Sequence, residues 1–184
     1  MEKIYLGEGV WMIENFFDPE KNKKLHSLCL NNEGWDQLDY GNAFTNNLKV
    51  IDESSDIMKE LNDLIETLFD DSKYSLQRVF MISRFVPKDE DNSSFSMSVH
   101  VDRHDKPGSK DVVFGVIYYI NDNYDGGEIF YPDLNIRHKP KANSLLCHDA
   151  TIRHGVDLVT NGTRYMIPEF IFEGKDYFEQ ERYW

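Results

Sequence analysis

The chain is poor in basic residues, poor in cysteine and without a long apolar run. Its 184 residues include 20 lysines and arginines against 33 aspartates and glutamates, which gives a formal net charge of −13. An acidic surface repels phosphate backbones, so we expect no nucleic-acid partner. No apolar run is long enough for a helix that spans a bilayer, so we expect no membrane partner either.

The two cysteines, Cys29 and Cys147, are too few for a disulfide framework. Both lie in segments with an apolar pattern, so we expect reduced thiols in the core of a protein from a reducing compartment. The first residues do not have the charged-then-apolar pattern of a secretion signal. We therefore expect a cytoplasmic location, while the sequence leaves the oligomeric state open.

Length and composition indicate one globular domain. Hydrophobic residues make up 40% of the chain and aromatic residues 14%, which is enough for a substantial core. We expect a single domain over residues 1–184, with a helical and strand part over 1–75, a β core over 76–173 and an aromatic tail over 174–184. The tail is expected to dock on the core or to line a substrate groove.

Two helices are predicted in the first part of the chain. Asp18-Pro19-Glu20 has the pattern of an N-cap, a proline at the first helical position and an early acid, and Gly34 ends the run. A second helix is predicted over about residues 54–69, and its apolar stripe indicates packing against a sheet. That stripe consists of Ile57, Leu61, Leu64, Ile65 and Leu68.

From Ser75 onward, short runs of β-branched and aromatic residues alternate with glycine, proline, aspartate and asparagine turns. Many short strands with helices collected at one end indicate an α+β fold whose sheet closes into a barrel or a sandwich. The polar segment 87–98 is predicted to be either a surface loop or a lid that closes over substrate. Strands are predicted near 76–86, 96–102, 112–120, 127–131, 135–138, 143–148, 151–158 and 163–172.

The motif His100-Val101-Asp102 carries the most chemical information in the chain. Side chains alternate along a strand, so the motif predicts an imidazole and a carboxylate on one face. A further histidine from a distant strand would complete a two-histidine, one-carboxylate triad, which holds Fe(II) and leaves coordination positions open. Arg164 lies ten residues after His154 and offers a planar fork for a carboxylate.

These motifs belong to a longer pattern between His100 and Phe172 that resembles the Fe(II)/2-oxoglutarate-dependent oxygenases, in particular their prolyl 4-hydroxylase-like branch. The resemblance is close in the C-terminal half and loose in the N-terminal half. It implies a double-stranded β-helix, or jelly-roll-like, core with the N-terminal helices packed on the major sheet. The blocks that carry it are HVD at 100–102, IYYIND at 117–122, DGGEIFYP at 125–132 and RHGVDLVTNGTRY at 153–165.

The resemblance implies that His100, Asp102 and His154 bind the metal. His148 is the main rival for the third position, since it ends an apolar strand, and with Asp149 it could instead form a pair outside the metal ligands. The pattern after His154 matches the family, and His154 is therefore preferred. Among the other competing histidines, His26 is expected on the surface of the first helix and His104 in a turn, and His138 is the third competitor.

The resemblance also implies Fe(II), the cosubstrate 2-oxoglutarate and dioxygen as cofactors, with ascorbate as a supporting reductant. Arg164 is expected to bind the 5-carboxylate of 2-oxoglutarate. Tyr119 stands where relatives place a hydroxyl that bonds the cosubstrate, and strand alternation allows only one of Tyr118 and Tyr119 to face the pocket.

Two positions depart from the family pattern. Phe85 stands where many relatives have a tyrosine that helps to hold 2-oxoglutarate, so that hydrogen bond is either missing or supplied by Ser83 or Ser98. Phe170 stands where relatives often have a tryptophan near the substrate ring. Both departures leave the iron chemistry unchanged and weaken the inference to a prolyl substrate.

The resemblance therefore predicts a 2-oxoglutarate/Fe(II)-dependent dioxygenase, similar to procollagen-proline dioxygenase, that hydroxylates an unactivated C–H bond. The leading substrate is a prolyl residue in a peptide or protein. The carboxylate of Asp102 favours hydroxylation, since halogenating relatives have a small residue there. One alternative is a hydroxylase of a free amino acid or other small metabolite. The alternative from a different class is a non-catalytic, metal-binding β-barrel module with a closed site.

Overall fold

A computed structural model of the protein describes residues 1–40, 43–49, 52–77, 81–87, 95–105 and 108–174. Within these ranges the chain is mainly β, with helices α1 (Pro19–Asn31) and α2 (Asp52–Glu66) and a short 3-10 helix (Pro132–Leu134). Neither described α-helix has the length and apolar character required to cross a membrane. The described strands are β1 (Ile4–Gly7), β2 (Val10–Glu14), β3 (Asp36–Tyr40), β4 (Ala43–Lys49), β5 (Tyr74–Leu76), β6 (Met81–Phe85), β7 (Phe95–His100), β8 (Val112–Tyr119), β9 (Asp125–Gly126), β10 (Ile129–Tyr131), β11 (Ile136–His138), β12 (Ser144–Asp149), β13 (His154–Asp157), β14 (Val159–Asn161) and β15 (Arg164–Glu173).

Both helices occur where the sequence predicts them, with shifted ends. The Asp18 carboxylate accepts hydrogen bonds from the backbone N–H groups of Glu20 and Lys21, each at 2.9 Å, and Pro19 opens α1. The helix α1 ends at Asn31, before the predicted stop at Gly34. The helix α2 begins at Asp52 and ends at Glu66, so the predicted helix over about 54–69 is displaced toward the C terminus.

Two sheets form the body of the fold, and a shared cluster of core side chains lies between them. The larger sheet has the strand order β1-β2-β12-β8-β15-β6-β4-β3, with β5 paired to β15. The smaller has the order β11-β10-β13-β7, and β14 pairs with β9. Four strands that precede residue 75 therefore extend the larger sheet. The sequence pattern did not locate these four strands. They form two local hairpins, β1 with β2 and β3 with β4, which join the sheet through distant partners, β2 through β12 and β4 through β6.

The core divides between the two faces of the larger sheet. On one face, side chains of both helices join side chains of the sheet, among them Tyr118. On the other face, Tyr119 packs with residues of the smaller sheet. Alternation along β8 thus separates two adjacent tyrosines. The second cluster, which lies between the sheets, includes Val10, Met12, Phe85, Tyr119, Tyr124, Ile129, Tyr131, Leu146, Val156 and Met166.

Three predictions fall partly on residues that the structure does not describe. Residues 88–94 of the predicted loop 87–98 lie outside the described ranges, while residues 95–98 already belong to β7. Residues 175–184 of the aromatic tail lie outside them as well. The predicted strand 76–86 corresponds to the end of β5 and to β6, with residues 78–80 between them not described.

Candidate active site

The ends of two paired strands bring the predicted metal ligands together. His154 opens β13 and lies directly opposite His100, the last residue of β7. Asp102 lies beyond the end of β7, where its backbone N–H donates to the carbonyl of Ala150 at 3.0 Å. The predicted strand over 96–102 is therefore wrong at its end, and the His-x-Asp motif does not lie on one strand. The bend after His100 turns the carboxylate toward both imidazoles.

His100, Asp102 and His154 form the one group of possible metal ligands found among the described residues, with ligand atoms that lie within 4.8 Å of one another. The Oδ1 atom of Asp102 is 3.6 Å from Nε2 of His100 and 3.7 Å from Nε2 of His154. These separations allow one ion to contact all three atoms. Two imidazoles and a carboxylate are the donor set that suits Fe(II) with open positions.

Hydrogen bonds donated to backbone carbonyls fix which imidazole nitrogens face the cluster. The Nδ1 atom of His100 lies 2.9 Å from the carbonyl of Ser98, and Nδ1 of His154 lies 3.0 Å from the carbonyl of Ile152. A carbonyl only accepts, so each Nδ1 donates, and in the neutral imidazole Nε2 keeps its lone pair. Both lone pairs are therefore available for a metal ion, as metal-binding histidines require.

The electrostatics of the cluster prepare it to bind a cation. Burial alone would raise the pKa of the Asp102 carboxyl, but the neighbouring imidazoles of His100 and His148 hold it far below its ordinary value. Burial lowers the pKa of His154 to about 3. Burial also opposes protonation of His100, yet the interaction with Asp102 outweighs it and raises the pKa of His100. Asp102 is thus ionised and His154 neutral near neutral pH.

The other histidines are not in this group. His26 lies on α1 with its ring against Tyr165, His104 is exposed, and His138 lies on β11. His148 is adjacent to the cluster, but its Nε2 atom is 2.9 Å from Oδ2 of Asp102. The alternative pairing of His148 with Asp149 is wrong, because adjacent strand residues point to opposite faces. The Asp149 carboxylate instead accepts hydrogen bonds from Thr151.

Arg164 is fully buried at the start of β15 and does not have an anionic partner among the described residues. Its Nη2 atom donates to the Tyr119 hydroxyl at 3.2 Å, while Nε and Nη1 lack any hydrogen-bond partner in the described part of the chain. The guanidinium carbon lies 5.2 Å from the centroid of the Phe85 ring and 5.0 Å from that of Tyr119. A buried cation with free donors is costly, so this position favours an anionic ligand.

Tyr124 is a neighbour of Arg164 that sequence reasoning missed. Its hydroxyl is buried and lacks a hydrogen-bond partner within the described ranges. Burial raises the pKa of Tyr124, whereas the positive charge of Arg164 acts to lower it. The Lys139 ammonium lies 3.6 Å from the centroid of the tyrosine ring and donates to the Tyr124 carbonyl at 2.8 Å. The Asp125-Gly126-Gly127 turn signal marked this segment in the sequence, but it did not indicate that the tyrosine before it points inward.

One cavity connects the metal cluster with Arg164. Its walls are mostly apolar and include both positions that depart from the family pattern, Phe85 and Phe170. The serines proposed as substitutes for the missing tyrosine do not line this cavity. Ser83 is buried on β6, and Ser98 is exposed on β7. Other lining residues are Met97, His100, Asp102, Gly115, Val116, Ile117, Ile129, His148, His154, Val156, Arg164, Met166, Pro168 and Glu169.

No protein-family model matches the sequence, and no curated protein is significantly similar to it. Solved structures do match the three-dimensional fold. A protein of the 2OG-Fe(II) oxygenase family from Burkholderia pseudomallei is 17% identical, with a TM-score of 0.68 over 90% of this chain and 86% of that one. The chain has the fold of the 2OG-Fe(II) oxygenases.

Two further structures extend the comparison to proteins with different activities. A prolyl hydroxylase from Trichoplax adhaerens, in complex with a peptide fragment of hypoxia inducible factor, is 15% identical, with a TM-score of 0.66 over 95% of this chain and 88% of that one. The non-heme alpha ketoglutarate dependent epimerase SnoN, from nogalamycin biosynthesis, is 14% identical, with a TM-score of 0.65 over 90% and 78% of the two chains. The predicted double-stranded β-helix agrees with this shared fold.

Proposed function

We propose that the protein is an Fe(II)- and 2-oxoglutarate-dependent dioxygenase that hydroxylates an unactivated C–H bond, with a prolyl residue of a peptide or protein as its substrate. One observation carries the proposal. A cluster of two imidazoles and a carboxylate shares a cavity with a buried guanidinium that does not have an anionic partner among the described residues. The first is the donor set for Fe(II), and the second is a site for a carboxylate.

Each residue of the cluster has a distinct task in this proposal. His100 and His154 present Nε2 to the metal, because Ser98 and Ile152 hold their Nδ1 atoms. Asp102 presents Oδ1 as the anionic ligand. When bound, Fe(II) supplies the activation of dioxygen that no amino-acid side chain provides.

Arg164 and Tyr119 are proposed to bind the distal carboxylate of 2-oxoglutarate. The Tyr119 hydroxyl accepts a hydrogen bond from Arg164, so its own proton remains available for an anion. The buried Tyr124 hydroxyl is a third candidate donor beside the same guanidinium. We propose that these tyrosines replace the hydroxyl that relatives place at the position of Phe85.

The apolar cavity wall supports a prolyl substrate. Phe170, Pro168 and Met97 line the cavity near the cluster, and they offer an apolar surface for a small saturated ring. The Trichoplax adhaerens enzyme of the same fold is a prolyl hydroxylase with a bound peptide. We further propose that the chain functions as one domain with the two helices covering the larger sheet, in the cytoplasm, where the buried, free Cys29 and Cys147 remain reduced.

A small-molecule substrate is the second candidate, because the epimerase SnoN has a comparable TM-score. The two candidates differ in what the cavity must admit. A peptide requires that residues flanking the reacting one lie along the cavity mouth, whereas a small metabolite is enclosed. Incubation with proline-containing peptides and with free proline separates them, since only one of these should gain an oxygen atom.

The proposal is tested by measuring succinate formed from 2-oxoglutarate in the presence of Fe(II) and dioxygen. Wild-type protein should form succinate, and Arg164→Met should form little, because it lacks the group that holds the distal carboxylate. Arg153→Met is the matched control. Arg153 precedes His154 in the chain, but its side chain is exposed and forms an ion pair with Asp133. If Arg164→Met formed as much succinate as the wild-type protein, the role of Arg164 would be contradicted. Equal oxygen gain by peptides with proline and with alanine would contradict the prolyl substrate.

A further inference from the structure

His148 is a buried histidine that touches the metal cluster without belonging to it. Its side chain is 1% exposed, and its ring centroid lies 4.1 Å from that of His154. A histidine so placed has two possible roles. As a fourth ligand it would close the site, which is typical of structural metal centres. As a partner of a ligand it would leave the site open for small molecules.

The hydrogen bonds of His148 decide between these roles. The Nε2 atom lies 2.9 Å from Oδ2 of Asp102, and Nδ1 lies 3.0 Å from the Tyr131 hydroxyl. An ionised carboxylate only accepts, so Nε2 carries the proton and donates it to Oδ2. In the neutral ring Nδ1 then accepts from Tyr131. Neither nitrogen of His148 therefore offers a free lone pair to a metal ion, in contrast to His100 and His154.

The two oxygens of Asp102 consequently differ in their surroundings. The Oδ1 atom faces the Nε2 atoms of His100 and His154, at 3.6 and 3.7 Å. The Oδ2 atom is engaged by His148 at 2.9 Å. Such an arrangement favours binding of the metal through one carboxylate oxygen, because the other is held by a donor at hydrogen-bond distance.

Gly115 provides the space for this contact. It lies on β8 opposite His148 on β12, and both strands belong to the larger sheet. A Cβ atom at this position would lie 2.3 Å from Oδ2 of Asp102 and 2.4 Å from Nε2 of His148. Any side chain there would displace one of the two groups. The hydrogen bond between Asp102 and His148 thus occupies the volume that a side chain would fill.

We propose that His148 is a positioning residue that holds Asp102, with Tyr131 holding His148 in turn. The ordered chain runs from the Tyr131 hydroxyl through the imidazole to Oδ2, and it keeps Oδ1 directed at the two histidine ligands. The inference rests on the proposed function, since it concerns the same metal. It adds that His148 keeps the site open and does not close it as a fourth ligand.

Metal affinity, measured with Co(II) in competition with a chelating dye, tests this role without any turnover. His148→Leu should weaken binding by about 10- to 100-fold, as loss of a group that orients a ligand does. His148→Gln should restore most of the affinity, because its amide N–H can reach Oδ2 from a similar position. His104→Leu is the control, since His104 is exposed two residues after Asp102. Circular dichroism verifies that each variant is folded.

Two further variants test the ordered chain. Tyr131→Phe alone should weaken Co(II) binding by about fivefold, because it removes one neutral hydrogen bond. In the His148→Leu background the same change should have little further effect, since Tyr131 acts only through His148. Gly115→Ala should reproduce the loss of His148→Leu although both side chains of the hydrogen bond remain. Gly34→Ala is its control, because a Cβ there makes an ordinary 3.4 Å contact.

The outcomes separate this inference from the proposed function. Wild-type protein that binds no Co(II) or Fe(II) would overturn both. Wild-type binding with an unchanged affinity in His148→Leu would overturn the positioning role alone. If His148→Gln lost as much affinity as His148→Leu in a folded protein, His148 would be a ligand or a packing residue, which also contradicts the inference. A graded loss with recovery in His148→Gln is the expected result.

Discussion

The Nη2 atom of Arg164 donates to the Tyr119 hydroxyl at 3.2 Å, and this contact joins two fully buried side chains on neighbouring strands. The Tyr119 hydroxyl accepts this hydrogen bond, so its own proton remains available for another partner. The guanidinium keeps two further nitrogens without partners among the described residues. Together they offer several donors that no acidic side chain among the described residues accepts from. We infer that a carboxylate completes this site.

Removal of the Tyr119 hydroxyl should weaken cosubstrate binding. We expect Tyr119→Phe to raise the KM for 2-oxoglutarate by about tenfold or more, because a hydrogen bond to a charged group is lost. Tyr118→Phe is the matched control. Its hydroxyl lies 2.7 Å from Oδ1 of Asn22 and 2.9 Å from Oδ1 of Asn143, on the opposite face of the same strand. A KM that rises equally in both variants would indicate a general effect on folding.

The buried charge of Arg164 should lower the stability of the ligand-free protein relative to a variant with an apolar side chain at this position. We expect Arg164→Met to increase the free energy of unfolding by roughly 1–3 kcal/mol, because an uncompensated buried cation is replaced by an apolar side chain of similar length. Thermal unfolding measures the change. With a redox-inert divalent metal present, 2-oxoglutarate should stabilise the wild type and not the variant. A variant that is less stable than wild type in both conditions would contradict an unsatisfied charge.

Phe170 should contribute to binding of the peptide substrate and not to binding of 2-oxoglutarate. We expect Phe170→Ala to lower kcat/KM for a proline-containing peptide by about tenfold or more, because apolar contact with the ring is lost. Succinate formation without peptide should stay near the wild-type rate. Tyr5→Ala serves as the control, since Tyr5 is an exposed aromatic residue on β1. If Phe170→Ala also lost succinate formation without peptide, Phe170 would instead contribute to the binding of 2-oxoglutarate.

The two cysteines should be unreactive in the native protein. Burial raises the pKa of the Cys29 thiol to about 12 and raises that of Cys147 as well. Since the thiolate is the reactive form, neither should react with a disulfide reagent at about pH 8. Both should react after denaturation. Rapid reaction of one thiol in the native protein would show that this cysteine is accessible, which would contradict its position in the core.

The sequence was most informative where function depends on short spacings. His-x-Asp is a local pattern, while His154 was preferred over His148 because the residues after it resemble the family. The structure brings these side chains and Arg164 into one cavity. Alternation along β8 separates Tyr118 from Tyr119 as expected, while the choice of Tyr119 came from the family resemblance, and its role in binding the cosubstrate stays a prediction. The strand end after His100 was missed, since the bend depends on a hydrogen bond between Asp102 and the distant Ala150.

Long-range pairing accounts for most of what the sequence left undecided. The strands β1 and β2 join the larger sheet through β12, which lies more than a hundred residues later, and no local pattern specifies this contact. The partner of His148 was a partial exception. Asp149 was the partner considered from the sequence, although alternation places it on the opposite face of the strand, and only the fold shows that Asp102 and Tyr131 are the partners. Tyr124 was missed because turn residues do not indicate which side chains point inward.

The most direct test of the proposed function is an anaerobic absorbance titration with Fe(II) and then 2-oxoglutarate. We expect a visible charge-transfer band that requires both additions, because a 2-oxo acid must chelate iron held by His100, Asp102 and His154. The band should be absent in His154→Ala, weak in Arg164→Met at the same cosubstrate concentration, and unchanged in His104→Ala. Folded wild-type protein that binds iron but gives no band would contradict the proposed function.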